Sequence, residues 1–145
     1  MQQEDNLTPA FKTLNIIYMA LGAGMLLSIA VFIFLVRSGG TPSAPDLAGT
    51  MKIVVPVLGI SCFGIGRFLY GMSAKKSKEE TSESIKLNNY RTASLIVWAT
   101  TEGPALFASV AYYLTGDPVF LAFFAIIFLG FRFSRPSIEK FQQDF

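Results

Sequence analysis

The sequence predicts an all-α fold, a polytopic membrane protein built as a bundle of four transmembrane helices. Three observations lead there. Charged residues are 15% of the chain, against roughly 25% in an ordinary soluble domain, which is too few to cover a water-facing surface. Four apolar runs, 14–36, 53–72, 93–114 and 119–133, recur between polar segments. Lys and Arg are segregated among those segments rather than spread along the chain. At 145 residues, one membrane domain uses the whole length and leaves no room for a separate soluble one.

The first run, Leu14 to Val36, carries no charge and is long enough to cross the hydrocarbon with some tilt. Thr8-Pro9 reads as its N-cap and first helical position. Residues 37–52, rich in Gly, Pro, Ser and Ala, form the outer loop. The second run, Ile53 to Met72, is interrupted only by Arg67. A polar loop, 73–92, follows. In it Ser77 with Glu80 three residues on has the pattern of a capping box, predicting a short helix that breaks at Asn88-Asn89. Its Lys/Glu mixture fits a solvated surface helix, or a docking or anionic-lipid site.

The third run, Ala93 to Leu114, contains Glu102. The link Thr115 to Pro118 is so short that the third and fourth runs must pair as an antiparallel hairpin, and Asp117-Pro118 has the form of a helix start. The fourth run, Val119 to Phe133, is short, and Arg132 near its end can snorkel to the interface. In the tail, 136–145, Ile138, Phe141 and Phe145 fall at spacings of three and four, an amphipathic turn or two expected to lie on the inner membrane face.

With four crossings, nine of the twelve Lys and Arg lie on one side. They are Lys12, the five between Lys75 and Arg91, and Arg132, Arg135 and Lys140. Only Arg37 and Lys52 lie on the other, so both ends and the central loop are expected in the cytoplasm. The acidic leading segment (Glu4, Asp5) and the length of the first run argue against a cleaved signal peptide. Histidine is absent and Cys62 is the only cysteine, which excludes His catalysis, a Cys–His pair, an intrachain disulfide and a zinc site of the usual type. No nucleophile with a base and no metal-ligand cluster is visible, so neither an enzyme nor a cofactor nor nucleic-acid binding is expected.

Small residues mark where helices approach closely in lipid. The sequence offers Ala20, Gly24 and Ser28 in the first run, Gly59, Cys62 and Gly66 in the second, Ala99, Gly103, Ala105 and Ser109 in the third, and Ala122 and Gly130 in the fourth. They serve packing within the bundle or a homo-oligomer seam. Runs one and three also align at an offset of 79 residues: Phe11-Lys12-Thr13 with Tyr90-Arg91-Thr92, Ala20 with Ala99, Gly24 with Gly103. This fits either two repeated helical hairpins or two segments meeting the same interface. The position matching Glu102 is Ala23.

Glu102 is the candidate functional residue, because a carboxylate in mid-bilayer costs a few kcal/mol or more unless paired, hydrated or protonated. Pro104 cannot donate to the carbonyl of Thr100, so a kink is expected at Gly103-Pro104. Thr100 and Thr101 place hydroxyls next door. Together these are hard oxygen ligands suited to a proton, Na⁺ or a water cluster. At 1.5 Å per residue Arg67 lies roughly 9 Å and Glu102 roughly 13 Å from the cytoplasmic side, within reach of each other. Three readings stay open: a structural lock between Arg67 and Glu102 or neighbouring hydroxyls, an ion-coupling residue, and a contact to a ligand or partner protein.

The run Tyr90-Arg91-Thr92-Ala93-Ser94, Trp98-Ala99, Glu102-Gly103-Pro104-Ala105-Leu106-Phe107 and Leu114-Thr115-Gly116, with Arg135-Pro136-Ser137 and Glu139-Lys140, resembles a pattern in small four-span bacterial inner-membrane proteins. That resemblance implies a fold and a location, without an activity. Gly59, Gly64 and Gly66, a charged loop, Arg91 and a mid-span Glu102 are similar to the proteolipid c subunits of rotary ATPases. The glycine repeat here is sparser and the Arg-Gln-Pro loop motif is missing. By that resemblance Glu102 would carry a proton or Na⁺. The expected function is therefore an accessory, structural or partner-binding membrane component, with the lipid bilayer and other membrane subunits or a homo-oligomer as partners. The alternative is a proton- or Na⁺-coupled transporter or channel subunit.

Overall fold

The computed structural model describes residues 2–40 and 42–145, with side chains from residue 9 onward. The described residues are all-helical: α1 (Gln2–Arg37), a 3-10 turn (Pro45–Leu47), α2 (Ala48–Ser77), α3 (Glu83–Thr115), α4 (Val119–Arg132) and α5 (Ile138–Asp144). Two stretches are long and apolar enough to cross a membrane, Pro9–Arg37 with 29 residues and Pro45–Ser77 with 33. Only 17% and 11% of their most apolar windows are buried within the chain, unlike the core helix of a soluble protein. Ile16, Met19, Leu27 and Phe34 on α1, and Ile53, Ile60 and Phe68 on α2, are outward-facing. An apolar outer surface of this extent marks a contact with something other than water.

α3 is the central helix. It packs along α2, α4 and α1, whereas α2 and α4 touch only lightly. Its buried side holds Val97, Trp98, Ala105, Ala108, Ser109 and Tyr112. Its hydroxyls are turned back on the helix itself: Thr101 Oγ1 donates to Val97 O (2.7 Å), Ser109 Oγ to Ala105 O (3.0 Å) and Thr115 Oγ1 to Ala111 O (2.7 Å). Back-bonding of this kind lets α3 bury polar side chains without leaving them unsatisfied.

The two ends of the bundle differ. At one end, aromatic rings tie α1, α2, α3 and α5 together. Phe11 meets Tyr90 at 5.6 Å between centroids and Phe141 at 5.9 Å, and Phe145 meets Tyr90 at 5.3 Å and Tyr70 at 5.6 Å. At the other end, Ala44 N donates to Leu114 O (2.9 Å) and Lys52 pairs with Asp117 at 2.7 Å. Gly116 closes α3 in the left-handed region (φ 70°), its N–H donating to Tyr112 O. Both chain ends and the α2–α3 turn therefore share the aromatic end.

Several expectations are corrected. α1 begins at Gln2 and Pro9 lies inside it, so Thr8-Pro9 is not its start; the Thr8 side chain lies outside the described residues. The loop 73–92 is largely helix, because α2 continues to Ser77 and α3 starts at Glu83. Ser77 is the buried last residue of α2 and accepts from Asn89 Nδ2 (2.9 Å), so it opens no helix, and Asn88-Asn89 do not break α3. The outer loop ends early, at the turn Pro45–Leu47. α4 starts one residue after Asp117-Pro118, with Asp117 Oδ1 accepting from Val119 N (3.0 Å). The tail folds onto the bundle: Phe141 and Phe145 are buried in the aromatic end while Ile138 is exposed.

Some equivalent positions of α1 and α3 at the 79-residue offset have matching burial, although Met19 and Trp98, Leu26 and Ala105, and Ala30 and Ser109 are opposed, exposed on α1 and buried on α3. Phe11 and Tyr90, Leu14 and Ala93, Met25 and Pro104, and Ile29 and Ala108 are all buried. Ile16 and Leu95, Ala20 and Ala99, and Gly24 and Gly103 are all exposed. The small residues of that second set therefore face outward rather than into the bundle. α1 instead approaches α4 at Gly22, where a Cβ would lie 3.3 Å from the Phe131 ring.

On α2 the expected stripe is used. A Cβ at Gly66 would overlap the Thr100 hydroxyl and lie 3.5 Å from Val97 Cα, so only glycine permits this approach. Gly66→Ala is expected to cost about 1–3 kcal/mol, the range for overpacking a tight contact, with partial recovery in Gly66→Ala/Thr100→Ala. Gly24→Ala, where nothing lies within 4 Å, is expected to leave stability unchanged or raised. Thermal unfolding in mild detergent measures all three.

Candidate functional site

Glu102 lies one turn beyond Trp98 on α3, half-buried at the margin of the outward face that carries Ala99 and Gly103. Among the described residues its carboxylate has no hydrogen-bond partner and no ion pair, the one side-chain salt bridge being Lys52–Asp117. The expected Arg67–Glu102 lock is absent. The Arg67 guanidinium instead lies 5.2 Å from the centre of the Phe63 ring, one turn earlier on α2. Thr100 and Thr101 do not serve the acid either, since Thr100 Oγ1 donates to Ile96 O (2.9 Å) and Val97 O (3.1 Å), and Thr101 to Val97 O. α2 approaches α3 at Thr100 and Val97, whereas Glu102 lies beside the outward-facing Ala99 and Gly103.

Thr100, Thr101 and Pro104 line a different feature, an apolar cleft of about 550 Å³ where α2 and α4 diverge across α3. Pro56, Gly59 and Phe63 supply one wall, Phe123, Ile127 and Gly130 the other. α3 continues as helix through Gly103 and Pro104, and Pro104 is buried against this cleft. Among the described residues no group of His, Cys, Asp and Glu could hold a metal ion.

The polar groups of the bundle gather at the aromatic end, around the C-terminus of α4. The last carbonyls of a helix have no donor within it. Here four consecutive carbonyls are met by side chains of other elements. Tyr18 Oη donates to Phe131 O (3.2 Å) and Arg132 O (3.3 Å), Lys140 Nζ to Phe133 O (2.9 Å), and Trp98 Nε1 to Ser134 O (3.0 Å). Tyr18 also stacks on Phe131 at 4.5 Å. Tyr90 holds the start of α5, accepting from Ser137 N (3.2 Å) while Ser137 Oγ accepts from Lys140 N. Burial is the main cause that pushes the Tyr90 phenol above its ordinary value, and the backbone hydrogen bond at Ser137 opposes it.

Beside this capped end lies a small cavity of about 50 Å³, lined by Arg67 and Tyr70 of α2, by Ser94 and Trp98 of α3, and by Ser134, Arg135, Lys140 and Asp144. Tyr70 Oη donates to Asp144 Oδ2 at 2.9 Å. Sequence reasoning singled out only Arg67 of this set. The available signals were Trp98 and Tyr18, aromatic groups that need a hydrogen-bond partner when buried, and the Arg135-to-Asp144 stretch, whose polar residues alternate with Phe141 and Phe145.

Two measurements check this geometry. In a double-mutant cycle, Arg67→Leu and Glu102→Leu are expected to combine additively within about 0.5 kcal/mol, as for residues that share no contact; rescue of one by the other would restore the lock. The second concerns Asp117. The hydrogen bond from Lys52, then that from Val119 N, holds its carboxyl below the ordinary carboxylate range. A depressed folded-state pKa means that the clasp is in place above the ordinary value and is lost as pH falls through the lowered one. NMR titration of the Asp117 carboxyl carbon is expected to show a midpoint below that of a free aspartate, rising toward it in Lys52→Gln.

Comparison with protein-family models, with curated proteins and with solved structures finds no match for this chain.

Proposed function

We propose that this chain is a multi-pass protein of a bacterial inner membrane that crosses four times and serves as a partner-binding component, with Glu102 as its polar contact. The observation that carries this is the solitary carboxylate. Glu102 is half-buried on an apolar helix, at the edge of an outward face of small residues, with no partner among the described residues. In hydrocarbon such a group needs a donor, a proton or water. A neighbouring transmembrane helix, from another subunit or a second copy, would supply the donor, and Ala99 and Gly103 would let its backbone come close.

The orientation rests on charge. The nine basic residues expected in the cytoplasm belong to segments at the aromatic end, while Arg37 and Lys52 belong to the opposite one. Both chain ends and the 78–82 turn would thus be cytoplasmic.

The ion-coupled alternative, in line with the resemblance to proteolipid subunits, also uses a carboxylate at a helix margin. It is favoured less, because the Thr100 and Thr101 hydroxyl hydrogens are donated to backbone carbonyls rather than to Glu102.

The test is purification in mild detergent, with quantification of co-purifying membrane subunits and of self-association. Glu102→Leu is expected to reduce the recovered partner or oligomer about tenfold, the loss of one charge-assisted contact, with unchanged helical content. Glu102→Gln, which keeps hydrogen bonding, is expected to retain most of it. Equal recovery from Glu102→Leu would remove the proposal. Carbodiimide labelling of Glu102 that Na⁺ or high pH blocks would favour the carrier instead.

A further inference from the structure

The cavity at the aromatic end has an electrostatic imbalance that the fold does not resolve. Arg67, Arg135 and Lys140 converge on it from α2, from the α4–α5 connection and from α5. Among the described residues none of the three has a carboxylate within salt-bridge distance. Lys140 Nζ is spent on a neutral carbonyl, Phe133 O, which leaves its charge uncompensated. Asp144 is the one carboxylate on the wall, and it already accepts from the Tyr70 hydroxyl. Three cationic side chains, two of them exposed, therefore line a cavity with a single, partly satisfied anion, and the Arg67 guanidinium also rests on the Phe63 ring. The cavity's floor is the buried packing around Tyr90 and Trp98, while Arg67 and Arg135 stand exposed at its rim.

We propose that this cavity is an oxyanion site that takes a phosphate group. Guanidinium groups from two different elements present planar pairs of donors suited to phosphate oxygens, and an ammonium adds a third point charge. A volume of about 50 Å³ admits a compact oxyanion head and not a nucleotide. Two sources share this chemistry: the phosphate of an anionic lipid headgroup and free inorganic phosphate. In the four-crossing arrangement the cavity lies near the cytoplasmic headgroup layer, where basic pockets between helices hold anionic lipids. The site is separate from Glu102 and does not depend on the role proposed for it.

Trp98, the only tryptophan in the chain, lines the cavity and serves as its own reporter. The full chain in neutral detergent is titrated with inorganic phosphate at constant ionic strength, and separately with mixed micelles containing phosphatidylglycerol or phosphatidylcholine, while Trp98 emission is followed. Saturable change with inorganic phosphate assigns a free-phosphate site. Change with phosphatidylglycerol, without change from phosphate or phosphatidylcholine, assigns a headgroup site. In either case Arg67→Gln/Arg135→Gln is expected to weaken binding about tenfold or more, as for loss of two charge-assisted contacts. Arg67→Lys/Arg135→Lys, which keeps the charge but not the paired donors and guards against misfolding, is expected to bind more weakly than the native chain and more tightly than the Gln chain. Lys52→Gln at the opposite end is expected to bind as the native chain does. No saturable response to phosphate or phosphatidylglycerol, or equal binding by the Gln and native chains, would overturn the proposal.

Discussion

Four successive backbone carbonyls at the end of α4, from Phe131 to Ser134, organise one whole end of this molecule. Helix geometry leaves the last carbonyls short of donors, Phe131 O alone being met locally, by Ser134 N at 2.9 Å. Their donors come from three separate elements: Tyr18 from α1, Trp98 from α3 and Lys140 from α5. That requirement fixes the rotation of α1 about its axis, since Tyr18 must reach α4 across the bundle. It also draws α5 back over the end. The aromatic cluster of Phe11, Tyr70, Tyr90, Phe141 and Phe145 then fills the space these contacts enclose.

α3 works by the opposite device. Its hydroxyls bond back into their own helix, so it offers its neighbours smooth, mostly small surfaces. α2 can therefore approach until Gly66 meets Thr100. The same inward satisfaction leaves Glu102 isolated. Its carboxylate has no neutralising partner among the described residues.

The helical class and the close approach on α2 were legible because hydropathy and glycine spacing act locally. The alignment of α1 with α3 carried over only in part, since Leu14 and Ile29 stand opposite Ala93 and Ala108, and exposed Leu26 opposite buried Ala105. Helix limits were less legible. Ser77-Lys78-Glu79-Glu80 reads as a helix start by local hydrogen-bonding pattern, yet packing of Ser77 against Asn89 makes it a helix end. The pairing of Arg67 with Glu102 failed because depth follows from residue counting whereas side follows from tertiary rotation. Arg67 instead sets its guanidinium against Phe63, one turn earlier on its own helix.

The brevity of α4 has a consequence for its surroundings. Its 14 residues rise about 21 Å, against a hydrocarbon thickness of about 30 Å. In the four-crossing arrangement the acyl chains beside α4 would have to compress while those beside the longer α1 and α2 stay extended. Such a one-sided mismatch would pinch the lipid annulus and would give a chain so arranged a preference for thinner membrane regions. It would also make the α4 flank the side on which relief, by tilting or by association with another short helix, returns the most elastic energy.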